Sequence, residues 1–162
     1  MKKEILILGI IMVVAATFGC TSDVQSEKQS GNALNFSIPE GWELHPMPGD
    51  GTVIWMGNDP RIRVIEMSDI RKFTSRHDSV LSIDNNSYMI KKRNETIEGL
   101  NVEIISTTDG KYGDIQDFYF FQKNNRYYYI TAWAYTGWDS SKQNKYRREI
   151  SEAVDVIVKT IK

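Results

Sequence analysis

At 162 residues the chain is the size of one domain with short appendages, and that size buries enough surface for a core without disulfide staples. Its 41% hydrophobic and 25% charged residues are those of a globular protein, and a formal net charge of -1 excludes any global attraction to nucleic acid or to an anionic membrane. The single cysteine, Cys20, excludes an internal disulfide.

In chain order, the first signal is at the N-terminus. "MKKE" carries two lysines, and "ILILGIIMVVAATF" then runs from Ile5 to Phe18 without a charge. Fourteen residues of helix rise about 21 Å, short of the roughly 30 Å of a bilayer core, so the run suits the apolar region of a signal peptide better than a permanent span. The small residues Ala15, Ala16 and Thr17, and Gly19 directly before Cys20, resemble the lipobox of prokaryotic lipoproteins, in which cleavage before the cysteine leaves its thiol diacylated. Gly19 and Cys20 match that pattern; Thr17 and Phe18 depart from its aliphatic-then-small preference. The expectation is a signal peptide over 1–19, lipidation at Cys20 and a flexible linker to residue 33. An uncleaved anchor and simple secretion stand as alternatives. Two acyl chains are what stable anchoring takes. The linker "TSDVQSEKQSGNA" has no aromatic residue and spans about 20 Å root mean square, or at most about 45 Å when stretched.

The domain is expected over 34–162. "LNFSI" alternates and predicts a strand with Leu34, Phe36 and Ile38 on one face. "PEGW" ends it, and "HPMPGDG" reads as a loop holding His45. "TVIWM" and "RIRVIEM" predict two strands about the turn "GNDP". Residues 69–86 predict a short helix with Thr74 or Ser75 as its cap. "YMIKKRNETI" and "LNVEIIST" predict a hairpin about Glu98-Gly99, and "IQDFYFFQK" and "RYYYITAWAYT" another about Asn124-Asn125, because asparagine and glycine tolerate the positive φ of tight turns. The last two strands are apolar on both faces, which implies a central sheet position covered on each side. Tyr146, Ile150, Ala153, Val154, Ile157, Val158 and Ile161 form an apolar stripe of helical period, capped by Asp139 or Ser140. Asp155 and Lys159 are spaced for an i,i+4 ion pair on its outer face.

Three stretches together resemble the PsbP-like superfamily, including its PsbP-related and DcrB-like prokaryotic lipoproteins: "FSIPEGWEL" (36–44), "YYYITAWAYTG" (127–137) and the closing helix ending "AVDVIVKTIK". The resemblance implies an α+β fold, an α-β-α sandwich of antiparallel sheet between helices, and a non-enzymatic accessory or binding role.

Candidate chemistry is sparse. His45 and His77 lack the clustered spacing of a zinc site. Asp50, Asp59 and Asp69 could line a hard-cation loop but are ordinary turn formers. No serine sits in a nucleophile motif. "IKKR" (90–93) and "KQNKYRR" (142–148) are basic clusters that suit anionic head groups, a glycan or an acidic partner, or simply a solvated face. Sequons begin at Asn35, Asn85 and Asn94. The sequence therefore predicts a lipid-anchored, extracytoplasmic module of the cell envelope with no catalytic residue, no cofactor, no metal and no nucleic acid. It is held to the membrane by its anchor and works on an envelope protein partner. Two alternatives carry their own discriminators. A solute- or glycan-binding protein would show a concave patch with outward-facing aromatics among Trp42, Trp55, Trp133 and Trp138. An enzyme would bring His45 or His77 within about 3 Å of a carboxylate or serine in a pocket.

Overall fold

The computed structural model describes residues 34–45, 51–83 and 88–162; the expectations for residues 1–33, Asp50 and the Asn85 sequon lie outside them. One seven-stranded antiparallel sheet runs in the order β1-β2-β3-β7-β6-β5-β4, with β1 at Glu43–His45, β2 at Thr52–Trp55, β3 at Arg61–Met67, β4 at Tyr88–Ile97, β5 at Leu100–Asp109, β6 at Ile115–Lys123 and β7 at Arg126–Ala134. Helix α1 (Ile70–Leu81) and helix α2 (Ser140–Thr160) complete a mixed α/β fold. The predicted hairpins form where the turn residues take positive φ: Glu98 (50°) with Gly99 (78°), and Asn124 (52°) with Asn125 (61°).

Two meanders, β1 to β3 and β4 to β7, join through the β3–β7 pairing, in which Arg61 faces Trp133 and Met67 faces Tyr127. That pairing puts β7 at the centre of the sheet with β6 beside it, as their two-sided apolarity requires. Along β7, Tyr128, Ile130, Ala132 and Ala134 turn to one face and pack on the apolar stripe of α2, in a core with Ile54, Ile62, Val64, Ile104, Tyr119 and Phe121. Tyr129, Phe118, Phe120 and Ile105 turn to the other face, where Val80, Phe73 and Ile83 meet them from α1 and its C-terminal end.

Polar contacts fix α2. Arg147 reaches under it to the buried Asp117 carboxylate and also donates to Thr107 O (2.8 Å) and Thr108 Oγ1 (3.2 Å). At the far end Lys123 Nζ donates to Val158 O (2.8 Å) and Lys159 O (2.9 Å), satisfying carbonyls that the last helical turn leaves unpaired.

In local structure and pairing, the chain departs from expectation at four places. Residues 34–38 are not a strand: Ser37 N–H donates to Thr160 Oγ1 and Asn35 O accepts from Lys162 N–H, so this backbone is tied to the end of α2 while Leu34, Phe36 and Ile38 pack on the α2-side core. His45 lies on the three-residue β1, opposite Val53, not in a loop. The cap of α1 is Asp69, whose Oδ1 accepts from Lys72 N–H at 2.9 Å, not Thr74 or Ser75. Lys159 of α2 pairs with Glu98 in the β4–β5 turn at 3.2 Å, not with Asp155.

Candidate functional site

The antiparallel registers stack side chains of the α1 face into rows across the sheet. One row reads Glu43, Trp55, Arg61, Trp133, Gln116, Thr107, Ile90; the next reads His45, Val53, Arg63, Thr131, Phe118, Ile105, Lys92. The third, Ile65, Tyr129, Phe120, Glu103, is the row α1 crosses. The course of α1 follows from the topology. It leaves β3 at Met67, beside Tyr127, and the chain re-enters the sheet at Tyr88, on the far edge and at the opposite end of the strands. A connection on that diagonal leaves one corner of the face open, the corner holding Trp55, Arg61, Trp133 and Gln116.

In that corner Trp55 is already engaged. The His45 ring stacks on it at 4.2 Å and 16°, and the Arg61 guanidinium sits 4.3 Å from its centroid. Arg61 is held in place by its Nε, which donates to Asn58 O at 3.2 Å. The Trp55 Nε1–H is buried without a hydrogen-bond partner among the described residues. Trp133 is half-buried and Tyr135 is 55% exposed, leaving ring surface for a ligand. They border a concavity of about 350 Å³ whose polar lining includes Gln116, Arg63, Asp109 and Thr131. That volume is at the small end of the range for small-molecule sites, about 300–1,000 Å³. Gln116 Nε2 donates weakly to Thr131 Oγ1 (3.4 Å). Asp114 braces the rim: its Oδ1 accepts from Thr136 N–H (2.8 Å) and Gly137 N–H (3.1 Å), fixing the chain after β7. Ring faces beside planar amide, guanidinium and carboxylate groups can hold a flat polyhydroxylated ligand. The rings cover its C–H face, and the polar groups exchange hydrogen bonds with its hydroxyls.

The other sequence candidates scatter. Trp42 is buried in the α2-side core, and Trp138 is 61% exposed beyond β7. His77, on α1, places Nε2 2.6 Å from Glu103 Oε1, which Lys92 Nζ also approaches at 2.8 Å. Partial burial alone would raise the Glu103 carboxyl, but hydrogen bonds from Lys92 and His77 outweigh it and hold the group below its ordinary range. The His77–carboxylate distance meets the geometric condition for acid–base chemistry, yet neither His77 nor Glu103 lines the sheet concavity or the larger groove described below. Asp59 lies 3.9 Å from Arg61 Nε, and Asp69 serves as a helix cap. Among the described residues no group of three or more His, Cys, Asp or Glu side chains is placed to hold a metal, and no helix is long and apolar enough to cross a membrane. The basic clusters divide between the edge strand β4 and α2, where Arg147 is committed to Asp117.

Gln116, Arg63, Thr131 and Tyr135 are site residues the sequence reading passed over. Their signal was alternation: Arg61 and Arg63 in "RIRVIEM", and Gln116 opening an otherwise aromatic face of β6, mark where a buried sheet face turns polar. No protein-family model matches this chain, and no curated protein matches it.

Proposed function

We propose that this chain is a lipid-anchored, extracytoplasmic protein that binds a saccharide without chemical turnover, at the open corner of its sheet. The observation that carries this reading is the concave patch with Trp133 and Tyr135 beside Gln116, Arg63 and Asp109. The anchor rests on Gly19-Cys20 behind an apolar run that is short for a permanent span. The PsbP-like assignment draws support from one antiparallel sheet with a helical core on each face. A second reading makes the occupant an envelope protein and the chain its accessory module. Three exposed aromatics at this end of the molecule, Tyr112, Tyr135 and Trp138, favour it.

Tryptophan fluorescence of the full chain in detergent, titrated with chitotetraose and soluble peptidoglycan fragments, separates the two. Saturable quenching below about 1 mM that disappears in Trp133→Ala supports the saccharide site. No response to either ligand, together with crosslinking to an envelope protein that is lost in Trp138→Ala, moves the assignment to the second reading. The mass of the mature protein tests the anchor: diacyl mass on the wild type and its loss in Cys20→Ser are expected, and an unmodified wild type refutes it.

A further inference from the structure

A second concavity, about 1320 Å³, lies apart from the aromatic corner, along α1 where it leaves β3. Five cationic side chains line it (Arg71, Lys72, Arg76, Arg126 and Lys162), with Arg63 on the ridge it shares with the saccharide corner. Among the described residues two carboxylate side chains, Glu66 and Asp69, line the groove with them. Both carboxylates are occupied: Glu66 Oε2 takes Arg126 Nη1 at 3.2 Å, and Asp69 caps α1. The Lys72 backbone hydrogen bond holds the Asp69 carboxyl below its usual range. Arg71 and Lys72 have no ion-pair partner among the described residues, and the Arg76 guanidinium rests 5.5 Å from the Tyr129 ring centroid. In a chain with a net charge of -1, this groove therefore gathers more cationic than carboxylate side chains among its described lining residues.

We propose that this groove docks on the anionic phosphate head groups of the membrane that holds the anchor. Its rim points to that occupant. Leu34 and Asn35 line the groove, so the linker from Cys20 arrives at its edge. The thirteen linker residues, 21–33, reach at most about 45 Å, so an anchored domain carries the groove within reach of the surface at high effective concentration. Exposed lysine and arginine heads on flexible stems suit a layer of phosphates better than one fixed ligand. The membrane context rests on the anchor proposed above, but the groove is testable without it. Both hydrophobic cores are built from described residues of 34–162, and circular dichroism with a cooperative thermal melt establishes that this segment folds before it is assayed.

Vesicle co-flotation of residues 34–162 provides the test. The segment is expected to float at low salt with phosphatidylcholine vesicles containing about one third phosphatidylglycerol, not with pure phosphatidylcholine, and to be released by salt. Arg71→Gln and Lys72→Gln should each weaken partition roughly fivefold. Lys145→Gln and Arg148→Gln, exposed on α2, should leave it unchanged. Circular dichroism confirms that each variant is folded. Two results overturn the proposal: flotation insensitive to Arg71 and Lys72, or soluble glycerol 1-phosphate binding the groove while anionic vesicles do not. Neither depends on Cys20, so the mass measurement and this assay fail separately.

Discussion

Single residues set several measurable properties. Asp139 caps α2 by accepting from Lys142 N–H at 3.0 Å, so Asp139→Ala should cost about 1 kcal/mol in a denaturant titration. The Glu103 carboxyl is depressed in the fold, so its stabilising contribution is complete above the ordinary glutamate pKa of about 4.3 and fades as pH falls through the lower folded value. Glu103→Gln should flatten the acid limb of the melting temperature against pH; an unchanged limb would show that its pairing with His77 and Lys92 is energetically idle. Asp155 has the opposite sign. Burial, then repulsion from Glu95, Glu152 and Glu98, raises its carboxyl, so the ionised group costs stability once pH rises through that raised value. Asp155→Asn should raise the melting temperature by about 1 °C at pH 7 and have no effect near pH 3. The sequence reading paired Asp155 with Lys159 because helical spacing allows it. That spacing is blind to Glu98, a cross-element competitor that only the fold brings within 3.2 Å.

At the scale of elements, what was legible was local. Strand β3 and strands β4 and β6 run over the stretches their alternation or apolarity marked, and α2 over its stripe. The turn of β6 into β7 holds Asn125 at φ 61°, and Asn125→Val should destabilise by about 1–2 kcal/mol, because a β-branched side chain resists the left-handed region. What failed had little local signal or an unexpected destination. Three residues of β1 are too few for periodicity to register. Leu34, Phe36 and Ile38 alternate like a strand but spend their apolar face on the α2-side core. The site was half legible. Its tryptophans could be named as candidates, but whether each faces outward depends on where α1 stops. Twelve helical residues reach about 18 Å, whereas nine-residue strands reach about 30 Å, so α1 cannot roof the whole face. The expectation that β6 and β7 are covered on both sides therefore holds over their α1-side aromatic half and fails at Gln116 and Trp133.

For the whole molecule, the decisive contact is β3 with β7, strands about sixty residues apart, and no pattern within either strand names its partner. That pairing closes the sheet in the middle and leaves its two margins very different. β1 offers three residues; β4 offers ten, Tyr88–Ile97, bonded on one side to β5 alone among the described strands. A long unsatisfied margin is a template on which a second copy can add a strand, and continued addition makes a fibril. Here Lys91, Lys92, Arg93 and Glu95 occupy four of the central positions, so two copies brought edge to edge meet charge against charge. The basic run "IKKR" thus has a use that needs no ligand: charge on an edge strand opposes the addition of a second strand. Lys91→Thr with Lys92→Val should convert a single light-scattering species into assemblies that bind thioflavin T at micromolar protein. Persistence of one monomeric species would place the protection against polymerisation elsewhere.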